Sequence, residues 1–253
     1  MHHSFAEIST EDLKRHAAEH AVREIRPGMV VGLGEGTTAR LAVRRLAELL
    51  QRGEMYDIVA VASSRRLERW ARALGISTTT LQEHPVVDLT IDGADEVSPA
   101  LNLIKGRGGA LLREKIVAQA SRREVIIVDE TKLSPALGTR CPVPVEILPF
   151  GWRSQAAYLE SLGARINVRR NGRGDNRITD QGNMIIDCDF GVVDKPRTLA
   201  SNLDARAGIV AHGLFIDFVS EIVVGTHDGL RILAVPQPPK ASTQLNPNTS
   251  IKA

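Results

Sequence analysis

The sequence is poor in aromatic residues, in cysteine and in lysine, and each shortage narrows what the chain can be. Phe, Trp and Tyr make up only 4% of its 253 residues, too few for the stacking platform of a single-strand nucleic-acid binder. The two cysteines, Cys141 and Cys188, form no Cys-x-x-Cys pair and have no histidine at zinc spacing. Neither a disulfide framework nor a structural metal is therefore expected. No apolar run approaches the ~18 residues of a membrane helix. The opening Met1-His2-His3-Ser4 lacks the basic and apolar regions of a signal peptide. A soluble, cytoplasmic protein with no membrane partner is expected. A charge excess is also missing: 32 Lys and Arg face 30 Asp and Glu, which argues against nucleic acid as a partner. The basic set holds 25 Arg and 7 Lys, so a lysine inside a motif stands out.

Hydrophobic residues at 43% and charged residues at 25% describe an ordinary globular core. The length suits one generous domain or a domain with a smaller companion. Helical spacing of Leu13, Ala17, Ala21 and Ile25 predicts a helix over 10–26, with Thr10 as N-cap and Pro27-Gly28 as the stop. Apolar runs predict strands at 29–33, 58–62, 86–91 and 125–128, with helices at 39–50, 65–74 and 110–120 between them. This alternation predicts an α/β fold, a doubly wound, mainly parallel, Rossmann-like sheet. From Cys141 the texture changes to proline-punctuated strands, helices at 152–162 and 196–204, and Asn/Gly turns that read as hairpins. The expected division is a catalytic domain over 1–140 and 214–235 and a smaller α+β domain over 141–213. Residues 236–253 lack core residues and are expected to be a disordered tail.

Ligands of such sheets bind outside the carboxyl ends of the strands, and the conspicuous motifs fall there. Gly34-Glu35-Gly36-Thr37-Thr38-Ala39 follows the first strand and starts a helix, the arrangement that presents backbone N–H groups to an anion. It also fits a loose dinucleotide pattern. That reading needs an acidic residue after the second strand, where Ser63-Ser64 stand, so phosphate is preferred. A tight turn with a threonine cap explains the loop equally well. Asp92-Gly93-Ala94-Asp95-Glu96 places three carboxylates at a strand end, where one charge raises its neighbour's pKa and suits proton transfer. An Asx-turn on a solvated acidic surface is the plain alternative. Lys105-Gly106-Arg107-Gly108-Gly109 puts a point charge at the head of a flexible loop. Glu114 follows on the next helix, a general base if turned inward and part of a solvated face if not. Lys132, in Asp129-Glu130-Thr131-Lys132, offers a further cation or a simple charged turn.

Taken in order, these motifs resemble the type A ribose-5-phosphate isomerases. The resemblance runs through Val31-Gly32-Leu33-Gly34, Asp92-Gly93-Ala94-Asp95-Glu96, Leu101-Asn102-Leu103-Ile104-Lys105-Gly106 and the Arg113-Glu114-Lys115 segment. It continues through Thr179-Asp180-Gln181-Gly182-Asn183, Gly213-Leu214-Phe215 and Gly225-Thr226, so it covers residues 10–235. It implies an aldose–ketose isomerase of the pentose phosphate pathway that needs no metal or other cofactor and works as a homodimer or homotetramer. Glu114 would shuttle a proton between C2 and C1 through an enediolate, and Lys105 would stabilise the oxyanion. Asp92 and Asp95 would handle hydroxyl protons and ring opening. Glu35, Gly36, Thr37, Thr38, Gly93, Ala94, Gly106, Arg107, Gly108, Lys132 and Lys14 would surround the sugar phosphate.

Two residues depart from the family pattern. Glu35 stands where a small hydroxyl residue belongs, and Arg107 replaces a glycine of the Lys-Gly-Gly-Gly loop. A carboxylate 4 Å from a phosphate charge costs ~4 kcal/mol at an effective dielectric of 20. The expectation is a Glu35–Arg107 pair across the site mouth, and uncoupled surface drift of the two loops is the plain alternative. Such a pair either leaves the activity intact or reshapes the pocket for another sugar phosphate. A sugar-phosphate-sensing module is the competing class. It would want an attached helix-turn-helix, and the four candidate catalytic residues argue for chemistry instead.

Overall fold

The computed structural model describes residues 9–234, so the expected disorder of residues 236–253 lies outside the described residues. Helix α1 (Thr10–Val22) is capped by Ser9 rather than Thr10: Ser9 Oγ accepts from Asp12 N–H, and the Asp12 carboxylate accepts from Ser9 N–H. The helix ends before the expected residue 26 because Glu24 and Ile25 bond to carbonyls three residues back, a tightened turn that leads into Pro27. Next come β1 (Val30–Leu33), α2 (Thr37–Gln51), β2 (Val59–Ala62), α3 (Arg65–Ala73) and β3 (Leu89–Asp92). Strand β3 starts later than expected, since Val87 makes only an isolated bridge to Ser121 and the Asp88 carboxylate caps Val30 N–H at 2.9 Å. Short strands β4 (Glu96–Val97) and β5 (Leu103–Ile104) precede α4 (Leu111–Ala120), β6 (Glu124–Asp129) and a 3₁₀ turn over Glu130–Lys132. The remainder is β7 (Val143–Ile147), α5 (Trp152–Ser161), β8 (Arg165–Val168), β9 (Met184–Asp189), α6 (Pro196–Asp204), β10 (Ile209–His212), β11 (Leu214–Phe215), β12 (Glu221–Thr226) and β13 (Gly229–Ala234).

The main sheet has the order β13-β12-β6-β3-β1-β2 and is parallel except for the edge strand β13. From β1 the chain moves to one side for β2 and to the other for β3. The crevice between β1 and β3 is therefore the topological switch point, where ligands of such sheets bind. One face of the sheet is covered by α1, α2 and α3 through Ala17, Ala21, Val43, Leu46 and Leu67. The other is covered by α4 through Val117 and Ala118. A second sheet, β10-β7-β9-β8, is antiparallel throughout and has its own core with α5 and α6. Leu111 at the start of α4 packs on Ile185 and Ala211 of that sheet, so α4 is wedged between the two sheets. The chain does not return straight to the main sheet at Leu214, because Leu214–Phe215 first pairs with β5 in a small three-stranded sheet. The two cysteines are unpaired, and no helix among the described residues is long and apolar enough to cross a membrane.

Close approach is written into three glycines. A Cβ on Gly34 would lie 2.0 Å from the Asp92 carboxyl, and one on Gly32 would lie 1.8 Å from Thr90 Oγ1. Gly225 of β12 touches the carbonyl of Leu13, 2.1 Å from where a Cβ would stand, so α1 rests directly on the strand. Gly225→Ala is expected to destabilise the fold by about 1–3 kcal/mol and lower Tm by several degrees in a thermal melt. An unchanged Tm would show that α1 does not depend on this contact.

Candidate active site

The carboxyl ends of β1 and β3, the Gly-rich loop after β5 and the first turn of α4 enclose a cavity of about 300 Å³. Its wall holds Glu35, Gly36, Thr37 and Thr38 from the β1–α2 turn, Gly93, Ala94 and Asp95 after β3, and Lys105, Gly106, Arg107 and Gly108 from the loop. Glu114 from α4 and Lys132 from the 3₁₀ turn complete it. Segments far apart in sequence meet here because the turns after β1, β3 and β6 leave one end of the main sheet, and the loop after β5 of the three-stranded sheet crosses that end on its way to α4.

Lys105 is 2% exposed. Its ammonium donates to Asp92 Oδ2 at 2.8 Å and to the Gly93 carbonyl at 2.5 Å, and the Phe215 ring lies 5.5 Å away. Its next nearest carboxylate, Glu114 Oε2, is 3.8 Å off, beyond hydrogen-bond distance. That leaves one of its three N–H groups without a hydrogen-bond acceptor. Burial opposes the charge on Lys105, yet Asp92 and Glu114 beside it hold the ammonium above its ordinary pKa. Burial likewise raises the Asp92 carboxyl, against the pull of Lys105. Glu114 is 3% exposed, and its Oε2 has no hydrogen-bond partner. Burial, reinforced by Asp92, Asp95 and Glu35 and opposed by Lys105, pushes its carboxyl up to about 8. One buried cation thus stands between two carboxyls, and burial disfavours the ionised form of both.

The Asp-Gly-Ala-Asp-Glu motif separates into three environments. Asp92 stands behind the cavity wall with both oxygens engaged, Oδ1 by Gly93 N–H at 2.6 Å and Oδ2 by Lys105. Asp95 faces the cavity and accepts from Arg107 N–H at 2.9 Å through Oδ2. Glu96 points away and is buried, accepting from the N–H groups of Gly138, Thr139 and Arg140 at 3.0–3.1 Å. It fixes a loop rather than joining the proton-transfer pair.

The Glu35–Arg107 pair is not formed. Glu35 turns to α3, accepting from Ser64 Oγ at 2.5 Å and from Arg66, with Arg40 at 3.7 Å. Ser64 also caps α3 by accepting from Leu67 N–H. The Arg107 side chain makes no ion pair among the described residues; its backbone is held by Asp95, which accepts from its N–H, and by Arg169, which donates to its carbonyl. Arg66, in the first turn of α3, reaches the Glu35 carboxylate, while Arg107 also lines an adjoining space with Arg140 and Arg169. Lys14, on α1, does not line the cavity. Sequence does not reveal Ser64 and Arg66 as partners of Glu35, because pairing across 29 and 31 residues leaves no periodic trace.

A family model described as ribose 5-phosphate isomerase A (phosphoriboisomerase A) matches residues 59–229. Ribose-5-phosphate isomerase A of Chloroflexus aurantiacus is 54% identical over 223 residues, 88% of this chain and 93% of that protein. The solved structure of ribose 5-phosphate isomerase A from Methanocaldococcus jannaschii has a TM-score of 0.85 at 37% identity, covering 90% of this chain and 100% of the other. A D-ribose-5-phosphate isomerase in complex with phospho-erythronic acid has a TM-score of 0.87 at 37% identity, over the same shares of the two chains. The matched length runs through both large sheets and the helix wedged between them, and the chain belongs to the ribose 5-phosphate isomerase A family.

Proposed function

We infer that this protein interconverts D-ribose 5-phosphate and D-ribulose 5-phosphate through an enediolate. The observation that carries the chemistry is the buried, unpartnered Oε2 of Glu114 in the cavity wall, 3.8 Å from the Lys105 ammonium. Glu114 as carboxylate removes the proton from C2 of the open-chain aldose. The C–H electron pair becomes the C1–C2 double bond, and the carbonyl pair moves to O1. Lys105 turns its uncommitted N–H to that oxyanion, where a fixed cation in a dry site is strongly stabilising. Glu114 then returns its proton to C1, the carbonyl forms at C2, and the O2 hydroxyl proton passes to O1. Asp95, half-exposed in the wall, suits the hydroxyl transfers and ring opening. Asp92 serves by holding Lys105 charged and in place.

The start of α2 supplies N–H groups of Gly36, Thr37 and Thr38 to the phosphate, and Lys132 adds a cation opposite. Lys14 lies outside the wall and contributes only longer-range positive potential. Glu35 is already neutralised by Arg66 and Arg40, so nothing in the pocket calls for another sugar phosphate. A sensing role is not favoured either. Phospho-erythronic acid, bound by a relative, is a phosphorylated polyhydroxy acid, the class this cavity would take. In the same reading residues 1–140 and 214–235 carry the chemistry, and residues 141–213 form the smaller companion domain. The enzyme works in the cytoplasm as a homodimer or homotetramer. Phe150, 92% exposed, with exposed Leu148 and Val210 at the β10 edge, offers an apolar face for a second copy.

Wild type is expected to turn over ribose 5-phosphate in a direct isomerase assay, and Glu114→Gln to lose about 10²–10⁴-fold in kcat while still binding substrate. Near-normal turnover by a folded Glu114→Gln would remove it as the base. The pH dependence has a definite sign. The active form of Glu114 is ionised and burial holds its proton on, so kcat/KM climbs with pH toward about 8 and levels above it. Substrate phosphate ionisation adds a separate step near ~6. A profile already level at about pH 7 would contradict this control. Finally, Arg66→Ala leaves Glu35 short of its main cation. It is expected to raise KM by roughly fivefold, as for a partly exposed ion pair of ~1 kcal/mol, with kcat little changed. Adding Glu35→Thr should restore KM, and failure to do so would separate the pair from phosphate binding.

A further inference from the structure

Two arginines of the antiparallel sheet reach the Gly-rich loop, and nothing in the scheme above uses them. Arg169, just after β8, has its backbone fixed twice: its N–H donates to Ile185 O and its carbonyl accepts from Arg177 N–H, both at 2.9 Å. Its side chain is only 12% exposed and lies edge-on to Asp187 of β9, Nε donating to Oδ2 at 2.8 Å and Nη2 to Oδ1. This two-point contact sets the plane of the guanidinium. Its free edge, Nη1, donates to Gly106 O at 2.8 Å and Arg107 O at 3.2 Å. Arg177 Nη2 donates to Gly108 O at 2.5 Å. Three successive carbonyls of the loop therefore accept from arginines that the other sheet supplies.

The loop they hold joins Lys105 to the helix that carries Glu114. Its other side is tied by Lys105 N–H to Gly213 O and by Arg107 N–H to Asp95 Oδ2, each at 2.9 Å. Gly106 and Gly109 sit at φ 104° and 83°, in a glycine-rich stretch whose own backbone prefers no single conformer. A conformer must be chosen from outside. The Arg169 nitrogens are all engaged by protein acceptors, so its action is on the loop and not on the sugar.

We propose that Arg169, oriented by Asp187, is a positioning residue for the isomerisation: it selects the loop conformation in which Lys105, Asp95 and Glu114 face the same two carbons. The proposal rests on the roles given to those three residues above. A displacement of about 1 Å in such groups costs about 10²-fold in rate. Lysine at 169 keeps the charge but cannot reproduce the planar two-edged contact.

The test uses the full chain and its Arg169→Lys, Arg169→Met and Asp187→Asn variants. Each is measured for ribose 5-phosphate turnover, for binding of inorganic phosphate as a probe of the Gly36–Lys132 end, and for amide hydrogen exchange over residues 105–110. Both Arg169 variants are expected to lose at least tenfold in kcat, with phosphate affinity within about twofold of wild type and faster exchange in the loop. Asp187→Asn is expected to move kcat and exchange the same way by less, and the double variant Arg169→Met with Asp187→Asn to be no worse than Arg169→Met alone. If Arg169→Met fails to fold, Arg169→Lys and Asp187→Asn carry the measurement. A folded Arg169→Lys with kcat within about twofold of wild type overturns the proposal, and so does an equal loss of turnover and phosphate binding, which signals general loosening. A wild type inactive on ribose 5-phosphate refutes the isomerase reading, and loop exchange then decides the clamp. Unchanged exchange in Arg169→Lys overturns it.

Discussion

A buried lysine shared between two buried carboxyls is the constraint around which the structure is organised. An ammonium out of water is strongly unfavourable unless charge and hydrogen bonds replace its hydration. Lys105 obtains both from Asp92 and the Gly93 carbonyl. For Asp92 to stand there, Gly34 must lack a side chain and β1 must run alongside β3. For Glu114 to face the same cation, α4 must lie across the open face of the sheet, where Gly32 lets Val117 approach. One cation in so dry a place does not offset the burial of both carboxyls, so Asp92 and Glu114 are each held above the ordinary carboxyl range. In the proposed reaction, the same electrostatics that make the cluster awkward to bury would suit Glu114 to take a proton and give it back.

The antiparallel sheet places no side chain in the cavity wall, yet the cavity depends on it. Its strands close over α4 through Leu111, Ile185 and Ala211. Its arginines bond to the loop carbonyls that α4 and Lys105 leave open. Glu146 shows how the turn above that loop is kept in order: it is buried, and its Oε1 accepts from Thr179 Oγ1 and Asn183 Nδ2. The main sheet and α4 thus bring the cavity side chains together, and the antiparallel sheet fixes the backbone of the loop between them.

Glu35 illustrates how a local departure from a family pattern is absorbed. In sequence, a carboxylate in a turn proposed to hold a phosphate is a liability. In the fold it becomes the partner of Ser64 and Arg66, and Ser64 simultaneously caps α3. The unfavourable charge is turned into a tie between two strand ends, at no expense to the N–H groups of Gly36 to Thr38. The arginine excess of the composition finds part of its explanation here and at Arg169, since guanidinium groups can hold carboxylates and carbonyls in fixed planes.

Much of this was legible in the sequence, and the reasons are local. Hydrophobic runs bounded by glycine and the periodicity of Leu13, Ala17 and Ala21 determine strands and helices, because they depend on neighbours a few residues away. The Asp-Gly-Ala-Asp and Lys-Gly motifs name the chemical groups, since glycines beside charges are needed wherever backbone and ligand come close. What sequence did not settle is direction and pairing. Glu96 shares a pentapeptide with Asp92 and Asp95 but points to the backbone of residues 138–140. Glu35 chose Arg66 and not Arg107, and Arg169 chose the carbonyls of a loop over 60 residues away. A charge recognises its partner by distance and dielectric, and both exist only once the strands have been ordered into a sheet. Composition and motif thus determined which groups are present. The tertiary structure decided which of them lose their water together, because burial and distance, not sequence order, set how strongly each charge feels the next.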